Sequence, residues 1–156
     1  MKHKISAAAI LLAAMLLPLG SCRKPTQYTD TLTAAELAAD ARAALDQTEF
    51  FPAEKGYLND YFPIPEELTD YEIDLAADGN NLSEFGIWHT GNGAESISIL
   101  LRGYLEESFD RNRSFYDSYI PQETPKLRDA EVRVYGNYVA YAILNDTDRK
   151  TFFQTI

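Results

Sequence analysis

The feature that most constrains this chain is its leading stretch of 22 residues, because it sets the compartment and then leaves the fold. Lys2, His3 and Lys4 form a short positive region, and Ile5 to Leu17 is an almost unbroken apolar run. Leu19-Gly20-Ser21-Cys22 closes it with small residues before a cysteine. That order reads as a secretory signal peptide. A membrane-spanning helix takes about 20 apolar residues, whereas this run is shorter and is broken at Pro18-Leu19-Gly20.

The ending resembles the lipobox of bacterial lipoproteins. The resemblance implies cleavage between Ser21 and Cys22, diacylation of the Cys22 thiol, and an extracytoplasmic domain anchored to the bacterial membrane by lipid. Two or more acyl chains hold a protein stably where one alone is marginal. Cys22 is the chain's one cysteine, so its lipidation leaves no thiol for disulfides, thiolate metal sites or a cysteine nucleophile.

Removing residues 1–21 leaves 135, enough for one domain and too few for two. The remainder carries 12 basic and 24 acidic residues, a net charge of −12. Such a chain is repelled by nucleic acid and by anionic head groups, which excludes a nucleic-acid role. Its many aromatic residues argue for a packed core and against disorder.

Residues 22–32 read as the lipidated cysteine and a polar tether, and residues 33–156 as a single domain. Thr33-Ala34-Ala35-Glu36 fits a capping box, and Leu37, Ala41, Ala44 and Leu45 share one helical face. Phe50 to Pro65 mixes aromatics with Pro52, Gly56, Pro63 and Pro65. It is expected as a loop with a helical turn whose aromatics plug the core rather than form a binding surface. Tyr71 to Leu75 and Glu84 to Thr90 read as antiparallel strand neighbours around the turn Asp78-Gly79-Asn80-Asn81.

Ala94 to about Tyr119 is the longest expected helix. Ile97, Leu100, Leu101, Tyr104 and Leu105 make its apolar stripe, and Phe115, Tyr116 and Tyr119 carry it toward Pro121. Gly136-Asn137 sits between Ala130–Tyr135 and Tyr138–Leu144 as a two-residue hairpin turn. Asn145-Asp146 opens a closing helix. The expected fold is α+β: one antiparallel four-stranded sheet in the order α-β-β-α-β-β-α, with helices on one face.

Several segments taken in order resemble a known family. Leu82-Ser83-Glu84-Phe85-Gly86-Ile87 is followed by a long helix running into Arg111 and Phe115-Tyr116-Asp117-Ser118-Tyr119-Ile120-Pro121. Leu127-Arg128-Asp129-Ala130-Glu131-Val132 then leads to Tyr135-Gly136-Asn137-Tyr138-Val139 and Asn145-Asp146. With the lipobox, this series resembles the small bacterial lipoproteins grouped as the domain-of-unknown-function 4358 family. The resemblance implies an α+β lipoprotein of no established activity and supplies no catalytic residue.

Candidate chemistry is sparse. His89 is the single histidine after the signal and cannot build a His-rich metal site. It could act as a lone general base oriented by Glu84 or Asp74 across the hairpin, with some serine as nucleophile, but no Gly-x-Ser-x-Gly or Ser-x-x-Lys is present. Paired carboxylates as a glycosidase acid and base lack the larger aromatic cleft such enzymes use.

Electrostatics stands out more. Between Gly56 and Leu101 there is no Lys or Arg, while nine acids fall inside, including Asp60, Glu66, Glu67, Asp70 and Asp78. Glu72 and Asp74 share a strand face that Glu84 can join, and like charges packed this way need neutralising. The expectation is a solvated acidic surface, with Glu72, Asp74 and Glu84 available to a basic envelope protein. Calcium would suit the oxygen ligands, although neither Asp78–Asn81 nor Asn145–Asp148 matches an EF-hand loop. The resulting expectation is a non-enzymatic, lipid-anchored binding or accessory module without a cofactor. Its rival is a small cell-surface hydrolase using His89 with a nearby carboxylate.

Overall fold

The computed structural model describes residues 30–45, 48–65, 68 and 70–156. Ser21, Cys22, the signal segment, most of the tether, and Glu66 and Glu67 lie outside the described residues. Among the described residues no helix is long and apolar enough to cross a membrane.

Helix α1 spans Ala34–Ala44 and starts where the capping box places it, with the Thr33 side chain accepting from Glu36 N and the Glu36 carboxylate accepting from Thr33 N. Its buried face is Ala34, Leu37, Ala38 and Ala41, small residues that let the helix lie close to a sheet, whereas Ala44 is exposed. The strands are β1 (Phe50–Pro52), β2 (Tyr71–Ala76), β3 (Glu84–His89), β4 (Glu131–Tyr135) and β5 (Tyr138–Ile143). Between β3 and β4 run α2 (Ala94–Tyr119) and α3 (Thr124–Arg128), and α4 (Asp146–Thr155) closes the chain behind its Asn145 cap. The expected hairpin is present, with Gly136 at φ +59°, a conformation glycine adopts without steric cost.

The sheet is α+β in class but has five strands, in the order β1-β2-β3-β5-β4, with every pair antiparallel. The expected four-strand order is corrected by β1. Phe50, Phe51 and Pro52 pair with Ala76, Leu75 and Asp74 as an edge strand, a position where a proline's missing N–H need not cost a ladder bond. Helix α3, too short to show a periodic pattern, is the second addition.

The expectation of helices on one face is also corrected. Helices α1 and α4 pack on one side around Phe85, Ile87, Ala140, Ala142 and Phe152. Helix α2 covers the other side around Trp88, Leu101, Tyr104, Val139, Tyr141 and Ile143. The physical reason lies in the central strands. All six residues of β5 and five of six in β3 are buried, which requires cover on both faces.

The stripe on α2 ends before the sequence pattern does. Ile97, Leu101, Tyr104 and Leu105 are buried, whereas Phe115 and Tyr119 are 55% and 73% exposed and rest on each other, ring centroids 4.7 Å apart. A helix of 26 residues runs about 39 Å at ~1.5 Å per residue. A six-residue strand reaches only about 20 Å, so the helix overshoots the sheet.

Candidate functional site

Alternation along β3 sends Phe85, Ile87 and His89 toward α1 and Glu84, Gly86 and Trp88 toward α2. Glu84 is the first residue of the central strand, paired with Leu75 on one side and Ile143 on the other, and only 6% exposed. Three tyrosine hydroxyls converge on it. Tyr57 from the β1–β2 loop donates to Oε2 at 3.0 Å, Tyr104 from α2 donates to Oε1 at 2.8 Å, and Tyr141 from β5 also donates to Oε1.

Gly86 makes the third contact geometrically available. A Cβ there would stand 2.5 Å from the Tyr141 ring and 2.6 Å from that of Trp88, so only glycine lets both rings lie against the strand. Burial pushes the Glu84 carboxyl above its ordinary value, against the opposing pull of the three hydroxyls. The phenols of Tyr104 and Tyr141 are driven well above theirs, first by burial and then by the Glu84 charge. Among the described residues no lysine or arginine is paired with Glu84.

Glu84 lies in the lining of an open cavity of about 230 Å³. Phe51, Tyr57 and Tyr61 form one wall, and the β2–β3 turn with Asp78 and Gly79 forms another. Helix α2 supplies Tyr104, Ser108, Asn112 and Tyr116, four residues apart and therefore on one face. Behind the turn, Lys126 Nζ ties Asn81, Ser83 and Glu123 together at 2.8, 3.1 and 2.7 Å.

Asp74 is also buried, at 0% exposure, but on the opposite face. It pairs with Phe85, one register step from Leu75 and Glu84, and Arg42 of α1 reaches both its oxygens at 2.7 Å. Arg42 also lies 3.9 Å from the partly exposed Glu72. The expected shared surface of Glu72, Asp74 and Glu84 is therefore corrected. Asp74 and Glu84 are interior and point in opposite directions, because Glu84 is opposed by Leu75, the neighbour of Asp74, and successive residues of a strand face opposite sides of the sheet.

His89 has neither Asp74 nor Glu84 as its orienter, which corrects that pairing too. Glu84 sits at the other end of β3 on the other face, and Asp74 is engaged by Arg42. Asp70 stands in that place, with its Oδ2 2.9 Å from His89 Nδ1 and its Oδ1 accepting from Ala34 N at 2.9 Å. His89 Nε2 lies against the Asp30 carboxylate, outside hydrogen-bond alignment, and the ring stacks on Tyr138 with centroids 4.7 Å apart.

The three tyrosines around Glu84 escaped the sequence reading. A usable signal existed on α2, where Tyr104, Ser108, Asn112 and Tyr116 form a polar stripe at four-residue spacing beside the apolar one. The convergence of Tyr57 and Tyr141 has no local signature, since they come from separate elements 84 positions apart. No family model, curated protein or solved structure matches this chain.

Proposed function

We propose that this chain is an extracytoplasmic binding module, lipid-anchored at Cys22 to a bacterial membrane, that takes a small ligand in the Glu84 cavity. One observation carries the reading. A buried carboxylate is held by hydroxyls, with no cation paired to it among the described residues, in the lining of an open cavity. Convergent polar groups in a formed concavity are what small-molecule sites present. The reading retains the kinship with the domain-of-unknown-function 4358 lipoproteins suggested by the ordered motifs quoted above.

The test uses the full-length lipoprotein purified from its native membrane. Gly79 lies on the cavity wall, and a Cβ there meets nothing within 4 Å, so Gly79→Trp places a bulky ring at the cavity's edge at small cost to the fold. Native mass spectrometry should detect a small molecule with the parent chain and none with Gly79→Trp. Equal occupancy of both would place the ligand elsewhere. Cys22→Ala should release the protein from the membrane fraction or stall it unprocessed, and a processed, membrane-bound form would refute the anchor. A cross-linked pull-down from the same membrane reports whether a basic envelope protein accompanies it.

A second reading, a small hydrolase, draws on the Asp70–His89 contact of 2.9 Å and on Ser96, which lines the same cleft as His89. Fluorophosphonate labelling of Ser96 that vanishes in His89→Ala would favour it. An unlabelled parent chain would remove it.

A further inference from the structure

Resting on the small-ligand reading, the geometry points to a methylated or quaternary ammonium as the ligand class, with its charge facing Glu84 and its methyl groups against the tyrosine rings. The cavity combines the two features such a cation needs: one buried carboxylate and an aromatic wall made by Phe51, Tyr57, Tyr61, Tyr104 and Tyr116. Ring faces attract cations through the quadrupole, and desolvation strengthens the attraction.

The charge balance favours this class over others. Among the described residues lysine and arginine are missing from the lining itself, Asp78 stands on its wall, and the two cations beside it are already paired, Lys126 with Glu123 and Arg111 with Glu107, so the balance favours a cation over an anion. The ring faces already draw a cation from the protein itself, since the Arg111 guanidinium lies 4.8 Å from the Tyr61 centroid. An ammonium carrying N–H groups would need acceptors. Glu84 Oε1 already takes two hydroxyls and Oε2 a third, which leaves Glu84 one acceptor site, whereas five aromatic rings line the wall, so a methylated cation, which needs charge and ring faces, suits the arrangement better.

The cation also offsets what burial costs the carboxylate. Binding therefore favours ionised Glu84, and affinity falls as pH drops through the raised Glu84 value. The groups facing Glu84 are Tyr57, Tyr104 and Tyr141, with Tyr61 and Tyr116 farther along the wall, Asp78 on the turn, and Lys126 neutralised by Glu123.

Choline and its uncharged isostere 3,3-dimethyl-1-butanol are titrated into the full-length lipoprotein in detergent and followed by calorimetry. Choline should bind saturably and about tenfold or more tighter than the isostere. Acidification should weaken choline binding in the parent chain and leave it flat in Glu84→Gln. Tyr61→Leu, which keeps every hydrogen bond to Glu84, should weaken choline alone and serves if Glu84→Gln does not fold. Equal binding of isostere and choline would overturn the ammonium assignment while leaving the cavity reading intact. So would the absence of both when Gly79→Trp still displaces a native ligand. Absence of both with no ligand sensitive to Gly79→Trp would overturn the two together.

Discussion

Asp74 and Glu84 sit on neighbouring strands, one register step apart, both interior, and the protein treats them in opposite ways. On the α1 face, one arginine neutralises Asp74 through both carboxylate oxygens, with Asp74 itself fully buried and the arginine partly exposed. On the α2 face, Glu84 is solvated by three phenols beside an open cavity and, among the described residues, has no cation paired with it. Burial raises both carboxyls, but at Asp74 the Arg42 charge pulls back, whereas at Glu84 only dipoles do. A charge-paired carboxylate ties the helix to the sheet. One held by hydroxyls alone keeps an unspent attraction for a cation.

The contrast should appear first in Arg42→Ala. Removing one partner leaves Asp74 as an uncompensated buried charge, and denaturant unfolding should lose about 3 kcal/mol. A loss below about 1 kcal/mol would mean water reaches Asp74 freely and the two sites are alike. Next comes Gly86→Ala, which pushes the Tyr141 and Trp88 rings off the strand and disturbs only the Glu84 side. It should cost about 2 kcal/mol, as overpacking does, with the Arg42–Asp74 contact intact in its structure.

Glu84→Gln sharpens the comparison further. The amide keeps the shape and removes the desolvated charge, so stability at neutral pH should stay within about 1 kcal/mol of the parent. The sign with pH is fixed by the raised carboxyl. Stability is complete below the ordinary value of 4.5 and is lost as pH rises through the folded value. Melting curves across that range should therefore show the parent losing ground to Glu84→Gln as pH rises, and parallel curves would mean that Glu84 is not raised. The smallest effect belongs to Tyr57→Phe. It removes one of three donors at the more open side, and about 0.5–1 kcal/mol is expected by thermal unfolding.

Much of the fold was legible locally. The Thr33 capping box, the Ala94–Tyr119 helix, the Gly136-Asn137 hairpin and the Asn145 cap each rest on neighbours within a few residues. The β1 strand was not, because Phe50-Phe51-Pro52 among prolines carries no alternation and becomes a strand only by pairing with β2. The two-sided sheet was foreshadowed by the apolar runs of β3 and β5, although a short apolar run does not by itself say what covers each face. The acidic stretch from Gly56 to Leu101 showed that carboxylates were abundant. It did not show which of them would turn inward.

The sequence by itself determined the capped helices α1 and α4, the tight hairpin and the α+β class, because these depend on local spacing and backbone chemistry. Tertiary structure alone decided that Asp74 meets Arg42 and that Glu84 meets Tyr57, Tyr104 and Tyr141. Strand register assigns each residue to a face, and a slip of β2 by one position would turn Asp74 away from Arg42 and onto the face of Glu84.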